Sequence, residues 1–433
     1  MRFAEAIAVM LINVVINLQF SLLDPILPLE VKRRDISQDF TGLIMGCMSA
    51  GYFVCPYYVT EAFIPRLGRR GSVFLGFMVM SASLLLYGLG YFVPDAHQLL
   101  FVGICMLARL LEGAGMAIAT TAIVSLIAKL FPHEMGRAQQ IRFLGAFSGP
   151  AVGVVLGSFL FKIVGYFWVF ISFSLLVFLS SFLVFVFEED SSRSHRPFSA
   201  SLTFCSLLRV RRVALVVVCG LITYLLHYSL ESSLALRLRE GFGFSPSTTG
   251  LFFAVFLAGT ITLGVVGMLF PESWDKRTIF MVLFWVNVVS ALLIGPSKAL
   301  HFPDEPALIG VGLFLGGSLR SFVGAYIIVE GVSAGAAKFP ESGGRVGDLM
   351  ASIYQTGEGV AMLVSPVYGS SVSGAVGFRS AMDIEAGVFS VSSLVFTLFV
   401  VSDLRRKKKQ RLSRRENSSE DEREDRNPLL LES

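Results

Sequence analysis

Several ionisable side chains of this sequence fall inside long apolar stretches, where a charge has a high energetic cost. They are Asp24, Arg109, Glu112, Glu231, Arg320, Glu330 and Glu358. A charged group in a lipid bilayer normally faces a bundle interior or a water-filled cavity, and it marks a pathway for ions, protons or solutes. The sequence therefore predicts a polar passage inside an otherwise apolar protein.

Helical spacing places two of these acids beside tyrosines. Tyr228 precedes Glu231 by three residues and Tyr354 precedes Glu358 by four, so each pair shares one helix face. A carboxylate beside an aromatic ring suits an organic ammonium, through charge attraction and cation–π contact. A buried carboxylate can also carry a proton, because desolvation favours its neutral form. An acid that alternates between a proton and a cation would perform antiport.

The same residues have a structural interpretation. Arg109 and Glu112 stand at i and i+3 and could form a static ion pair. We find no metalloprotease, hydrolase or phosphate-loop motif, and the cysteines lack metal-ligand spacing. We therefore expect no enzymatic activity, no metal site and no cofactor.

The elements that position these residues are predicted to be membrane helices. Hydrophobic residues make up 54% of the 433 residues and charged residues only 16%, against about a quarter in soluble domains. Stretches of roughly 20 apolar residues, the length that crosses a bilayer, recur twelve times. The predicted spans are 5–29, 42–60, 72–93, 98–128, 140–161, 166–187, 213–236, 248–270, 278–296, 306–335, 347–371 and 380–402.

The predicted fold is an all-α membrane protein with twelve transmembrane helices in two pseudo-symmetric six-helix bundles. The bundles are 1–187 and 213–402, joined by a charged, serine-rich cytosolic linker at 188–212 and followed by a disordered cytosolic tail at 403–433. Residues 23–24 (LD) and 230–231 (LE) correspond in the two bundles, as in parallel-repeat transporters. Most Lys and Arg lie on one side if both termini are cytosolic. The run KRR at 32–34 is an exception.

Glycines recur at every fourth position of the fifth predicted span, at 145, 149, 153 and 157. Gly149 and Gly153 flank Pro150, which bends a helix by removing a backbone hydrogen bond. Four-residue glycine spacing lets helices approach closely. The segment could be a bent helix between the bundles that controls leakage, or it could serve packing alone.

The chain resembles the major facilitator superfamily. Its sequence RLLEGAG, which begins at Arg109, is similar to the family pattern in span four, and the resemblance implies a role for that arginine in proton coupling. Gly149-Pro150-x-x-Gly153 resembles the antiporter motif. The segment RLGRR, with Arg66, Arg69 and Arg70, resembles the loop between spans two and three that helps to hold the outward-open state. It departs from the pattern where proline replaces the usual aspartate at position 65.

Within the superfamily the chain is similar to the vesicular amine transporters, especially the branch linked to polyamines. The residues that carry this resemblance are the run LDPILP around Asp24, the acid Glu231 and the dipeptide GP at 295–296. The resemblance implies proton-coupled antiport of an organic cation into an acidic lumen. Two alternatives remain: a facilitator or symporter for a neutral or anionic solute, and a non-transporting receptor or scaffold.

The carboxyl-terminal tail contains a possible sorting signal. Asp425, Leu429 and Leu430 fit the acidic dileucine pattern D/E-x-x-x-L-L, which sorting adaptors read at endosomes, lysosomes and related vesicles. We therefore expect the protein to reside in the membrane of such an organelle. We also expect it to be a monomer. Its expected partners are the lipid bilayer, a small cationic solute, protons and a sorting adaptor, and no nucleic acid.

Overall fold

The computed structural model describes residues 2–23, 26–37, 39–188, 202–270, 276–342 and 344–425. In these ranges the chain is helical, with short connections and no β-strand. The α-helices are α1 Phe3–Leu18, α2 Leu27–Arg33, α3 Asp39–Tyr58, α4 Ile64–Leu89, α5 Gln98–Leu130, α6 Met135–Ser180, α7 Phe204–Leu208, α8 Arg211–Phe242, α9 Pro246–Leu269, α10 Lys276–Ile294, α11 Pro306–Lys338, α12 Arg345–Val376 and α13 Phe378–Asp425.

The long helices have the length and composition of membrane spans. Ten helical segments in the described ranges are apolar and long enough to cross a bilayer. Large apolar side chains such as Leu99, Phe159 and Val391 are more than half exposed on their outer faces. Lipid, not water, is the solvent that such a surface requires. The protein is an integral, multi-pass membrane protein.

Two of the ten segments are too long for a single crossing. Phe40–Phe92 has 53 residues and Met135–Val186 has 52, which would extend about 80 Å as straight helices against about 30 Å of hydrocarbon. Each is interrupted by a glycine with a positive φ, Gly68 at 74° and Gly165 at 76°. Only glycine adopts this backbone conformation at little cost. Each of the two segments therefore reverses direction at its glycine, and the predicted fold with twelve spans is confirmed.

The first predicted span, 5–29, is shorter in the structure. α1 ends at Leu18, a 3₁₀ turn covers Gln19–Ser21, and α2 begins at Leu27 with Pro28 in its first turn. Proline is accepted there because a first-turn N–H has no intrahelical partner. At the other end α13 continues to Asp425, into the stretch for which disorder is expected. That stretch is rich in Lys, Arg and Glu, which are good helix formers.

The basic run KRR at 32–34, which departs from the charge asymmetry of the loops, is partly neutralised by an acid in α2. Arg33 Nη2 lies 2.7 Å from Glu30 Oε1, and Arg34 Nε lies 2.9 Å from the same oxygen. Burial acts to raise the pKa of Glu30, but the hydrogen bonds from Arg33 and Arg34 outweigh it and hold the pKa below its usual range. The acid stays ionised, so two of the three cations in the run are paired.

The helices pack as two halves, α1–α6 and α8–α13. Within the first half α1 packs on α6, and α5 packs on α3 and α4; within the second α11 packs on α9 and α10, and α12 packs on α8. The halves meet through α12 against α3 and α5, and through α6 against α9 and α11. The predicted linker 188–212 lies partly outside the described residues, which resume before α7.

The glycines of α6 pack within the first half, on α1. A Cβ atom on Gly149 would lie 2.5 Å from the Val14 carbonyl oxygen and 2.9 Å from Asn17 Cβ, and one on Gly153 would lie 2.9 Å from the Leu18 carbonyl carbon. Real Cβ atoms almost never approach that closely. The four-residue glycine spacing therefore allows α1 and α6 to approach each other closely.

Replacing Gly149 by alanine is expected to lower the free energy of unfolding by about 1–3 kcal/mol, because the added methyl group overpacks a helix contact. Thermal unfolding of the purified protein in detergent measures this change. Gly103→Ala in α5 is the matched control, since a Cβ atom there meets nothing within 4 Å. Equal melting temperatures for the two variants would contradict the close contact between α1 and α6.

Candidate functional site

A cavity of about 760 Å³ lies between the two halves. Helices α1, α3, α5 and α6 line it from the first half, and α8, α9, α11 and α12 from the second. Its volume falls in the range that holds a small organic molecule. Most of the lining is apolar, so the few polar and charged side chains determine which solutes it can bind.

Glu358 of α12 is the acidic residue in the described lining, and both halves of the protein hold it. The Tyr52 hydroxyl of α3 lies 3.3 Å from Glu358 Oε2 and 3.3 Å from Gln355 Oε1, and Tyr228 of α8 donates a hydrogen bond of 3.3 Å to Glu358 Oε1. Tyr52 belongs to the first half, whereas Tyr228 and Glu358 belong to the second. Any change in the charge of this carboxyl group therefore acts directly on a contact between the halves.

Two arginines line the same cavity. The guanidinium of Arg142 in α6 lies 3.9 Å from the ring centroid of Phe143. That of Arg320 in α11 lies 4.7 Å from the ring centroid of Phe147 and donates a 3.3 Å hydrogen bond to the Tyr228 hydroxyl. Both arginines interact electrostatically with Glu358. Among the described lining residues, two arginine cations thus accompany one acid.

Both guanidinium groups retain hydrogen-bonding capacity. Arg142 Nε donates to Gln139 Oε1 at 2.8 Å. Arg142 Nη2 and Arg320 Nε are buried and have no hydrogen-bond partner among the described residues. Buried donors normally find a partner. These groups are therefore suited to bind polar or anionic atoms of a ligand.

Further aromatic side chains pack around Glu358 and Tyr228. The hydroxyl groups of Tyr354 and Tyr224 form a hydrogen bond to each other, and both residues are buried. The ring of His227 lies 5.0 Å from that of Tyr228 and 4.9 Å from that of Phe256. Tyr354 shares a helix face with Glu358, as the spacing predicts, but it does not line the large cavity.

At the start of α12, outside the cavity lining, a buried ion pair holds the two halves together. Asp348 of α12 accepts two hydrogen bonds of 2.8 Å from Arg69 and a further one from Ser125 of α5. Thr60 Oγ1 donates to the Asp348 carbonyl at 3.2 Å. Arg345 of α12 reaches Glu61 at 2.6 Å beside this pair. We call this group of contacts the closed end.

The segment RLGRR places its three arginines in different surroundings. Arg69 is buried in the closed end, and Arg66 is exposed. The guanidinium of Arg70 lies 5.2 Å from the ring centroid of Phe185. Asp348 of the other half supplies the carboxylate that faces Arg69.

Three other predicted site residues form ion pairs away from the cavity lining. Arg109 and Glu112 pair at 2.9 Å, and Arg109 also donates to the carbonyl of Phe20 at 3.1 Å. Glu330 pairs with Arg212 at 2.5 Å and with Arg277 at 3.6 Å. These contacts match the structural interpretation of the acids in spans four and ten.

The remaining predicted residues are placed only in part. Asp24, Leu429 and Leu430 lie outside the described residues, as do the side chains of Glu231 in α8 and Asp425 at the end of α13. Pro150 lines the cavity, and its carbonyl accepts a hydrogen bond of 2.6 Å from Ser21 Oγ.

Sequence reasoning missed Tyr52, Arg142 and Asp348. The predicted fifth span begins at 140, which left Arg142 at a cytosolic edge, whereas α6 begins at Met135 and carries Arg142 well inside the helix. A run of helix formers between Met135 and Arg142 was a usable signal for that earlier start. Tyr52 in an apolar stretch had no distinguishing signal.

Two helical halves around a central cavity form the architecture of secondary transporters. Residues 9–346 match the family model of the Major Facilitator Superfamily. The chain belongs to this family, and it is a membrane transporter, not an enzyme.

Known relatives and solved structures agree with this assignment. The chain is 24% identical to the human and rat proteins named MFS-type transporter SLC18B1, with about 90% of this chain and 85% of theirs aligned. Human organic anion transporter MFSD10 (TETRAN) superposes with a TM-score of 0.71 at 19% identity, covering 92% of this chain and 100% of that one. The E. coli fucose:proton symporter FucP also gives 0.71, at 14% identity, with 92% and 98% covered.

Proposed function

We propose that this transporter is proton-coupled and exchanges protons for an organic cation, an amine or a polyamine, carried from the cytosol into an acidic vesicle lumen. The observation that carries the proposal is Glu358, a partly buried carboxyl group in the central cavity that both halves contact. The lining tyrosines Tyr52 and Tyr228 can contribute cation–π attraction to the same ligand.

Exchange follows if proton and cation compete for Glu358. A proton bound from the acidic side neutralises the carboxyl group and releases the cation, and loss of that proton on the neutral side restores the binding site. Each pH unit across the membrane supplies about 1.4 kcal/mol per exchanged proton. The cycle requires at least one such carboxyl group, and Glu358 is the candidate that both halves contact.

The two arginines favour a second candidate, transport of an anionic solute. A cation at Glu358 would lie near Arg142 and Arg320, whose charges repel it, whereas a carboxylate or a phosphate would satisfy their buried donors. The cation proposal therefore relies on additional negative charge from Asp24 and Glu231. The name of the human structural relative includes organic anion transport, but at 19% identity that relative supports only the fold.

Uptake into proteoliposomes separates these candidates. An acidic interior is imposed, and a labelled polyamine, a labelled monoamine and a labelled dicarboxylate are tested in parallel. Uptake of an amine that stops when nigericin collapses the gradient supports the proposal. Uptake of the dicarboxylate alone supports the second candidate, and uptake that survives collapse of the gradient contradicts proton coupling. Empty liposomes are the control.

We further propose that the protein resides in endosomal, lysosomal or related vesicles, with both termini in the cytosol. Replacing Leu429 and Leu430 together by alanine is expected to move the protein to the cell surface, because sorting adaptors would no longer read the dileucine pattern. Surface biotinylation measures a severalfold increase. Leu412→Ala, in the same tail but outside the pattern, is the control, and equal surface levels for the two variants would contradict the signal.

A further inference from the structure

A second buried carboxyl group lies away from the cavity, in α13. Glu385 is 2% exposed, and it is not among the residues that line the cavity. Its Oε1 atom lies 2.9 Å from Ser229 Oγ of α8. Its Oε2 atom is buried without a hydrogen-bond partner, and no cation forms an ion pair with it in the described part of the chain.

The hydrogen bonds of Ser229 are compatible with a protonated carboxyl group at Glu385. Ser229 Oγ is within hydrogen-bond distance of two oxygens, the carbonyl of Leu226 at 2.8 Å and Glu385 Oε1 at 2.9 Å. A serine hydroxyl has only one hydrogen to donate, and a backbone carbonyl can only accept. If the serine hydrogen goes to Leu226, the hydrogen of the second contact comes from Glu385, which must then be a carboxylic acid.

The surroundings lead to the same conclusion. A buried carboxylate without a cationic partner is strongly unfavourable, whereas a neutral acid with one hydrogen bond is tolerated. The titratable group that faces Glu385 from α12 is Tyr368, which interacts with it electrostatically. Residues 278–294 of α10 contain no ionisable side chain. From α8 the facing residue is Ser229, and the side chain of Glu231 lies outside the described residues.

The charged neighbours of Glu385 within α13 are already engaged elsewhere. Asp383 accepts hydrogen bonds from the backbone N–H groups of Lys298 and Ala299, at 3.1 and 3.4 Å. Arg379 donates to the carbonyls of Pro296 and Phe302, at 2.7 and 2.8 Å. Neither residue forms an ion pair with Glu385.

We propose that Glu385 is a second proton-binding residue of this transporter, protonated in the present conformation, which controls the position of α8 without contacting the solute. Consecutive residues of α8 connect to the two acids: Tyr228 bonds Glu358, and Ser229 bonds Glu385. α8 is thus held between the cavity acid and the buried acid.

Close packing explains why proton loss at Glu385 requires helix movement. A Cβ atom on Gly369 of α12 would lie 2.7 Å from the Ser229 carbonyl, so α8 and α12 are in near contact beside the acid. An ionised Glu385 would need water or a cation as a partner, and the packed helices around the buried Oε2 atom would have to separate to admit either. Release of the proton is therefore coupled to a shift of α8, which carries Tyr228 and the lining of the cavity.

Infrared difference spectroscopy of the purified protein tests the proposal without any solute. A pH titration of the wild type should show the carbonyl-stretch band of a protonated carboxylic acid at neutral pH. The band should be lost or clearly reduced in Glu385→Gln. It should persist in Asp383→Asn, the matched control two residues away. A Glu385→Gln spectrum identical to that of the wild type overturns the proposal.

A second variant keeps the test valid if Glu385→Gln fails to fold. Ser229→Ala removes the hydrogen-bond partner but leaves the acid, so the band should remain and shift in frequency; an unshifted band overturns the assignment. The inference rests on proton-coupled transport for its functional meaning, but the infrared result stands apart from it. If solute uptake does not depend on the pH gradient while the infrared band depends on Glu385, the proposed function is contradicted. The assignment of a protonated carboxyl group to Glu385 then still stands.

Discussion

Replacing Glu358 by glutamine is expected to abolish the solute accumulation that a pH gradient drives. Glutamine has nearly the same shape and still accepts a hydrogen bond from Tyr52 or Tyr228, but it cannot bind and release a proton. One exchanged proton supplies about 1.4 kcal/mol per pH unit, which is about tenfold in the accumulation ratio. The variant should lose this factor for every pH unit imposed.

The measurement is steady-state uptake of labelled solute into proteoliposomes at several imposed gradients. Wild-type protein should show accumulation that rises with the gradient, and Glu358→Gln a ratio near one throughout. Glu240→Gln, an exposed carboxylate at the end of α8, is the matched control and should behave as wild type. Thermal unfolding in detergent establishes that both variants are folded. Gradient-dependent accumulation in Glu358→Gln would remove this residue from the mechanism. The sequence-based hypothesis extends the same expectation to Glu231→Gln.

Replacing Asp348 by alanine is expected to open the closed end. The side chains of Asp348 and Arg69 are only 1% and 9% exposed, so removing the carboxylate leaves a buried guanidinium without its charge partner. Breaking a buried pair in this way costs about 3–5 kcal/mol. The protein can avoid that cost by separating α4 from α12, because Arg69 is then hydrated. The variant should therefore favour a conformation in which the halves are separated at the closed end.

Backbone hydrogen exchange of the segments 58–72 and 344–352, read by mass spectrometry, measures the opening. A change of 3–5 kcal/mol in the opening free energy corresponds to exchange faster by roughly a hundredfold or more. Glu61→Gln is the matched control, because Glu61 pairs with Arg345 across the same interface but is 35% exposed. Exposed pairs contribute about 0–1 kcal/mol. Similar exchange in both variants would show that the buried pair does not hold the closed end.

These two expectations address different parts of one cycle. Glu358 lies where proton and solute would be bound, and Asp348 lies where the two halves are held together outside the cavity lining. Both residues belong to α12, and both contact the first half, through Tyr52 and Arg69 respectively. α12 is thus a direct structural connection between the central cavity and the closed end.

Part of the site could be predicted from single residues. Glu358 is a charge in the middle of an apolar span, and the high cost of that placement marks it without any knowledge of its neighbours. The same reasoning selected Arg109, Glu112 and Glu330, which the structure places in ion pairs away from the cavity lining. The energetic cost of a charge within an apolar span identifies residues that must be buried in the protein. It does not distinguish a ligand-binding residue from a member of a structural ion pair.

The partners of these residues could not be predicted. Tyr52 and Glu358 are 306 residues apart in the chain, and Arg69 and Asp348 are 279 apart. Their contacts depend on how one half docks on the other, which no local spacing encodes. Glu385 lies inside the predicted span 380–402, so the cost of its charge marks it as well, but its contact with Ser229, 156 residues away, could not be predicted.

The sequence by itself determined that lipid surrounds this protein, how many spans it has and which residues are candidates for its function. These follow from the length of apolar stretches and from the cost of a charge in lipid, which are properties of each segment alone. The tertiary structure decided which charges meet, where the chain reverses at Gly68 and Gly165, and where contacts outside the cavity hold the halves together. Those outcomes depend on contacts between helices far apart in the chain, and the energies of such contacts exist only once the halves are packed together.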